Sequence, residues 1–140
     1  MRIQVNDCRL YVDVVGSGLT AEGPKMVERP VVFVLHGGPG ADHSTMKPDF
    51  NPLAEVAQLV YYDHRGQGRS DSDKSDNWHL DQWADDLRGL VDTLGIENTH
   101  CVGTFFWRVC GPELRCSTPR PAAQINISQY RRTYGSTTRL

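Results

Sequence analysis

The sequence predicts an α/β domain with a mostly parallel sheet and flanking helices. Residues Val31–Leu35 are five consecutive apolar residues, which is typical of a strand buried on both faces. Apolar residues recur at helical spacing across residues 80–94. After residue 30, short apolar runs alternate with helical patterns, an order that requires crossover connections and therefore parallel strands.

The composition is that of an ordinary globular protein. A chain of 140 residues has room for one domain with a hydrophobic core, and 39% of its residues are hydrophobic. The net charge of −2 predicts neither a nucleic acid nor a membrane as partner. The four cysteines form no CxxC pair and no zinc spacing, so we expect no metal and no cofactor. Without a signal-peptide pattern, we expect a cytoplasmic location.

The N-terminal part predicts a β-hairpin followed by a polar loop. Residues 3–5 and 10–15 are two strand-like runs joined by a short polar turn at Asn6 and Asp7. Glycines at 16 and 18 end the second strand. Residues 21–30 are mostly polar and are predicted to be a loop that leads into the strand Val31–Leu35.

The middle of the chain predicts two crossover units. Leu53, Val56 and Ala57 fit one face of a short helix, and residues 59–62 form the next buried strand. The segment 63–70 is rich in glycine and charge, which predicts an exposed loop.

The clearest helix covers residues 80–94, and Gly95 is a typical stop. Residues 99–102 then predict a strand. The solvent face of the helix is assigned to five charged residues, Asp81, Asp85, Asp86, Arg88 and Asp92.

Two glycine-rich motifs follow two of the predicted strands. Residues 36–40 read HGGPG, and residues 63–70 read DHRGQGRS. In this order, and followed by a helix and a strand, the motifs resemble α/β-hydrolases of the proline iminopeptidase type over residues 1–104. The resemblance implies the α/β-hydrolase fold, of which this sequence would hold the N-terminal half of the sheet.

The resemblance also implies roles for the motif residues. The backbone amides of Gly37 and Gly38 would supply one donor group of an oxyanion hole, although glycines here could simply make a turn. An internal ion pair or a backbone clamp is expected of Asp63 and Arg65 rather than direct chemistry. The residues expected to shape the loops are His36, Pro39, Gly40, Asp63, Arg65, Gly66 and Gly68.

The nucleophile expected of the family is missing. The family places a G-x-S-x-G turn directly after the next strand, but here Gly103 and Thr104 are followed by Phe105. Phenylalanine cannot attack a carbonyl, so no residue is assigned as catalytic. All five histidines precede residue 105, and the catalytic acid and histidine would lie well beyond the turn. We therefore expect a truncated and inactive hydrolase.

The charge balance changes abruptly at the same place. Residues 1–104 carry nine Lys and Arg against 16 Asp and Glu, whereas residues 105–140 carry six Arg and one acid. One inserted T converts ACC TCT TTT GGC GGG, for Thr-Ser-Phe-Gly-Gly, into ACC TTC TTT TGG CGG, for Thr-Phe-Phe-Trp-Arg, the residues found at 104–108. This predicts that 105–140 is an aberrant, disordered basic tail translated out of frame.

Two alternatives remain open at the level of sequence. The tail could be a natural basic extension, which would make the chain a non-catalytic interaction protein that binds a partner with it. Within the superfamily, an esterase or an epoxide hydrolase would share the architecture. The substrate implied for intact relatives is a small peptide with a free N-terminal residue, or an ester.

The frameshift hypothesis predicts the nucleotide sequence across residues 104–108. Read one base out of frame, it should encode a serine turn followed by an amphipathic helix. Sequencing the gene checks this, and an out-of-frame translation without that pattern would contradict the hypothesis.

Overall fold

The computed structural model describes residues 1–72, 78–97 and 99–103. The described strands are β1 (Arg2–Val5), β2 (Cys8–Val15), β3 (Leu19–Glu22), β4 (Lys25–Glu28), β5 (Val31–Leu35), β6 (Gln58–Tyr62) and β7 (Thr99–Gly103). The described helices are α1 (Lys47–Phe50) and α2 (Leu80–Thr93), and 3₁₀ turns cover His43–Met46 and Asn51–Glu55.

The main sheet has the order β1-β2-β6-β5-β7. Strand β5 pairs in parallel with β6 on one side and with β7 on the other, whereas β2 runs antiparallel to β1 and to β6. The prediction of a mostly parallel sheet preceded by an N-terminal hairpin is therefore confirmed.

Strand β5 lies between two hydrophobic layers. Phe33 and Leu35 face the layer that contains α2, and Val32 and Val34 face the layer that contains the helical turns after residue 42. All four side chains are buried. This two-sided burial explains why the strand is a continuous apolar run without alternation.

Helix α2 covers one face of the sheet with the predicted apolar stripe. Leu87 and Leu90 are buried against β1, β2 and β5. The helix ends at Thr93, and Gly95 follows with a φ of +64°, a left-handed conformation that favours glycine. The assignment of Asp86 to the solvent face is wrong, because that residue is 1% exposed.

The prediction of a polar loop over residues 21–30 is also wrong. Strands β3 and β4 form a separate two-stranded hairpin through Gly23, which has a φ of +61°. The residues of both strands are largely exposed. Because the hairpin buries neither face, nothing requires its sequence to alternate over both strands, and β4 has two adjacent apolar residues between charged ones.

The short helix predicted around Leu53, Val56 and Ala57 begins and ends earlier. Helical turns run from His43 to Glu55, and Val56 leaves the helical conformation. Pro52 has no backbone N–H to donate, so α1 ends before it and the segment continues as a 3₁₀ turn. No helix in the described ranges is long and apolar enough to cross a membrane.

The packing of α2 predicts a large loss of stability for Leu90→Ala. Leu90 is fully buried, and its truncation leaves a cavity between helix and sheet, so the free energy of unfolding should fall by about 2–5 kcal/mol. Asp92→Ala on the exposed face of the same helix is the matched control and should change it by about 0.5 kcal/mol or less. Urea unfolding of both variants tests this, and equal losses would contradict the packing described.

Candidate functional site

Both motif loops leave the same edge of the sheet. Leu35 ends β5 and is in register with Tyr62, the last residue of β6, and with Gly103, the last residue of β7. The HGGPG segment starts directly after Leu35, and the DHRGQGRS segment starts directly after Tyr62. Because ligands of open α/β sheets bind beyond the carboxyl ends of the strands, this edge is the candidate site.

Most of the second loop is buried, contrary to the expectation of an exposed loop, and only Gly68 and Arg69 within it are exposed. Asp63 and Arg65 are fully buried, and His64 is 4% exposed. Composition misleads here because the charged groups of Asp63 and Arg65 are hydrogen-bonded inside the protein. Gly66 has a φ of +76° and lies under the indole of Trp78, where no Cβ could fit.

The Asp63 carboxylate joins the two loops. Its Oδ1 accepts a hydrogen bond from the backbone amide of His43 at 2.8 Å and lies 2.8 Å from His43 Nδ1. Its Oδ2 accepts from the amide of Arg69 at 2.9 Å. A Cβ on Gly68 would lie 2.4 Å from Oδ2, so this close approach requires glycine. Asp63 thus bonds the backbone of the second loop at Arg69 and the backbone of the turn at His43 that follows the HGGPG segment.

Arg65 joins the second loop to the rest of the domain. Its Nε and Nη2 donate to the two carboxylate oxygens of Asp86 on α2, both at 2.9 Å, and Nη2 also donates to Asp7 at 2.6 Å. Trp83 Nε1 donates to the Arg65 carbonyl at 3.2 Å. The hydrogen bonds to Asp86 raise the pKa of Arg65 although burial opposes this, so the guanidinium remains charged.

Two buried histidines connect the starts of the loops. His36 Nε2 accepts from the backbone amide of His64 at 3.1 Å, so its Nδ1 carries the proton that is donated to the Gly37 carbonyl at 2.5 Å. His64 Nε2 donates to the His36 carbonyl at 3.2 Å, and its ring stacks on Trp83. Burial lowers the pKa of His64 to about 3 and also lowers the pKa of His36, so both rings are neutral at pH 7.

The segment between these anchors contains the proposed amide donors. A Cβ on Gly38 would meet nothing within 4 Å, so this residue borders open space. Pro39 follows through a cis peptide bond. Gly40 has a φ of +93°, and its amide donates to Gln67 Oε1 at 2.6 Å. No hydrogen bond within the described residues uses the amide of Gly37 or Gly38.

Four residues of this network were not singled out from the sequence: Asp7, His43, Gln67 and Asp86. Asp86 had a usable signal, since it lies three positions after Trp83 and directly before Leu87 on the edge of the apolar stripe. The other three lie in turns or loops, where no periodicity of the sequence indicates a distant partner. Phe105, at the position of the expected nucleophile, lies outside the described residues.

The comparisons with known proteins concern most of the described chain. A family model described as the alpha/beta hydrolase fold matches residues 30–104. The RutD carbamate hydrolase of Azorhizobium caulinodans is 27% identical over 86% of this chain and 41% of its own length. A proline iminopeptidase of Lactiplantibacillus plantarum is 30% identical over 58% of this chain and 29% of its own length.

Solved structures give the same fold. The proline iminopeptidase-related protein of Thermus thermophilus superposes with a TM-score of 0.70 at 30% identity, over 81% of this chain and 38% of that protein. A proline iminopeptidase of Mycobacterium smegmatis superposes with a TM-score of 0.67 at 25% identity, over the same share of this chain and again 38% of its own. The chain thus spans about two fifths or less of these relatives.

The Arg65–Asp86 pair predicts a strong effect of Asp86→Ala. The variant leaves a buried guanidinium without its main partner, so the free energy of unfolding should fall by about 3–5 kcal/mol. Asp85→Ala, one residue earlier, removes an exposed pair with Arg88 and should cost at most about 1 kcal/mol. Urea unfolding distinguishes the two, and similar losses would contradict a structural role for the buried pair.

The buried histidines predict that stability falls in mild acid. The pKa of His64 is lowered in the folded state, so below pH 6.5 the unfolded chain binds a proton that the folded chain does not. The contribution of His64 to the free energy of unfolding is therefore fully present above pH 6.5 and decreases as the pH falls toward 3. Between pH 6.5 and 5, His64 should account for a loss of about 1.5 kcal/mol.

Replacing His64 with glutamine keeps a donor for the His36 carbonyl and removes the titrating ring. Urea unfolding at several pH values should show a flatter pH dependence for His64→Gln, with the remainder due to His36. His79→Gln, at an exposed position, is the control and should keep the steeper dependence. An unchanged slope in His64→Gln would show that this ring is accessible to protons in the folded state.

Proposed function

The chain belongs to the α/β-hydrolase fold family, and from that premise we propose that it is the oxyanion-binding part of a hydrolase similar to proline iminopeptidases. Its HGGPG loop would hold the negative oxygen that forms when a carbonyl is attacked. In this family one donor comes from the loop after an early strand, and a second follows the nucleophile.

The observation that carries this proposal is the register of the sheet. Leu35 and Gly103 are partners across β5 and β7, so the HGGPG loop begins beside the point where the chain leaves β7. A nucleophile two residues after Gly103 would therefore lie close to the loop. The amides of Gly37 and Gly38, which bond to no described residue, are the donors best placed to receive the oxyanion.

The chemistry of such donors depends on preorganisation. Backbone amides that already point to the position of the oxyanion need no rearrangement during the reaction, and each contributes about 10²–10³ in rate. The anchoring of the loop by Asp63 and by the two buried histidines supports this function, because every anchor is a hydrogen bond made in a buried environment.

The substrate class is proposed from the relatives. A proline iminopeptidase and a related protein of known structure share the fold at 25% and 30% identity, and a further proline iminopeptidase is 30% identical over 58% of this chain. These matches favour release of an N-terminal residue from peptides. The RutD match favours a second candidate, carbamate hydrolysis, because it extends over a larger share of this chain. Both reactions pass through a tetrahedral oxyanion, so the same loop serves either.

We further propose that the chain with this sequence does not catalyse hydrolysis. Phe105 occupies the position at which the family has a serine, and its side chain has no nucleophilic atom. The change in charge balance at the same residue supports a shifted reading frame as the origin of 105–140.

The assay uses the purified 140-residue chain with three substrates, which are proline 2-naphthylamide, a p-nitrophenyl carbamate and p-nitrophenyl acetate. We expect rates no higher than those of buffer. Turnover that Gly38→Val abolishes would overturn the proposed inactivity.

Gly38→Val then tests the oxyanion role in a gene with the corrected frame and its downstream sequence. A Cβ at position 38 would meet no described atom within 4 Å, so the added bulk would occupy the space where the substrate carbonyl is expected. We expect kcat/KM to fall at least 100-fold while the melting temperature stays within a few degrees. Ala21→Val adds a similar bulk to the exposed strand β3 and should leave both unchanged. Retained activity in Gly38→Val would contradict the role assigned to this loop.

A further inference from the structure

The HGGPG loop is held at three points by the second motif loop. At its start, His36 accepts from the amide of His64. Beyond its end, the amide of His43 donates to Asp63. In between, the amide of Gly40 donates to the side-chain carbonyl of Gln67 at 2.6 Å.

The Gly40 contact holds the far end of the segment that carries the proposed donors. Gly37 and Gly38 lie between the anchor at His36 and the anchor at Gly40, so these two contacts define both ends of the short segment that carries them. Gly40 has a φ of +93°, which lets the backbone turn so that its amide points to Gln67. Without the second contact, the segment would be tethered only at its start and, three residues beyond Gly40, at His43.

Gln67 is itself fixed in place. The side chain is 5% exposed, its backbone amide donates to the His64 carbonyl at 2.9 Å, and its carbonyl accepts from Ser70 at 3.1 Å. The neighbouring Gly68 allows close approach of the loops, since a Cβ there would lie 2.9 Å from Cβ of Asp42. Because Gln67 is buried and its backbone is hydrogen-bonded on both sides, its side chain can fix the position of the HGGPG loop relative to the second loop.

We propose that Gln67 is the positioning residue of the oxyanion loop, which its side-chain carbonyl holds in place through the amide of Gly40. This rests on the proposed function for the meaning of the loop, whereas the contact itself is independent of it. The geometry calls for a side chain of this length with a hydrogen-bond acceptor at its end. Glutamate would supply such an acceptor, and methionine, of similar length and shape, would not.

The test compares Gln67→Met, Gln67→Glu and the wild-type full chain by amide NMR. In Gln67→Met the hydrogen-exchange rate of the Gly40 amide should rise at least tenfold, and the resonances of Gly37 and Gly38 should move. Gln67→Glu should restore both toward wild type. The control Gln4→Met makes the same substitution at an exposed position in β1 and should change neither.

A second readout adds methylphosphonate, a tetrahedral anion that resembles the oxyanion. Wild-type chain should show saturable shifts at Gly37 and Gly38, and the dissociation constant should rise at least fivefold in Gln67→Met. If wild type shows no such shifts, the oxyanion role is wrong, and the exchange rate of Gly40 still decides the anchoring.

The anchoring proposal is overturned if Gly40 exchanges at the wild-type rate in Gln67→Met, or if Gln67→Glu fails to restore protection. A purely structural role of Gln67 predicts a lower melting temperature with unmoved Gly37 and Gly38 resonances. Should Gln67→Met fail to give a folded spectrum, protection of Gly40 in Gln67→Glu supports the proposal and its loss there refutes it.

Discussion

The buried ion pair between Arg65 and Asp86 is the contact on which the arrangement of the motif loops depends. Arg65 lies in the second loop, Asp86 on the helix that covers the sheet, and Asp7 in the turn of the first hairpin. Removing a guanidinium from water is costly, and the cost is offset only when its donors are matched by acceptors at good geometry. Two bonds to Asp86 and one to Asp7 meet that condition, so the loop can hold one orientation against the helix.

That orientation determines what the neighbouring residues contact. Asp63, two positions before Arg65, faces the first loop, and His64 between them stacks on Trp83 of the same helix. Gln67, two positions after Arg65, meets Gly40. Polar groups in a low-dielectric interior bind strongly when satisfied, and here the hydrogen bonds extend from α2 to the HGGPG loop. Apolar side chains in place of the ion pair could fill the same volume, but they would not fix the orientation of the second loop relative to α2.

The sequence correctly predicted the helix that buries one apolar stripe and the strands that are buried on both faces. The predictions were wrong where the structure imposes no periodic pattern of apolar residues. The strand Val31–Leu35 and helix α2 follow from the spacing of their apolar residues. The hairpin of β3 and β4 was missed because it is exposed on both faces. The second loop was predicted to be exposed because a charged residue in a sequence gives no sign of whether it is hydrated or paired inside the protein. Only the fold brings Asp86 within hydrogen-bond distance of Arg65.

The same limit explains how much of the candidate site could be predicted. Motif residues were identified by their order in the chain, and their glycines matched tight turns and close approaches, as at Gly68 and Asp63. The partners that hold the motifs come from elsewhere, and no local pattern marks a side chain as the acceptor for a distant amide. Gln67 is an example, because its position in the motif does not indicate a hydrogen bond to Gly40. That contact follows only from the register that places the ends of β5 and β6 side by side.

The anchors of the donor loop and the nucleophile are separate parts of the site. Every anchor described for the HGGPG loop comes from residues between Asp7 and Asp86, on strands, turns and a helix that precede β7. Position 105, where the sequence has phenylalanine, lies outside that range and outside the described residues, so the proposed loss of the nucleophile and the described anchoring of the loop concern different parts of the chain. On the proposed function, such a chain would combine an anchored donor loop with the lack of an attacking atom. Under the proposed function, anion binding and catalysis can therefore be tested separately, the first through the hydrogen bonds that Asp63, His36 and Gln67 make at the loop.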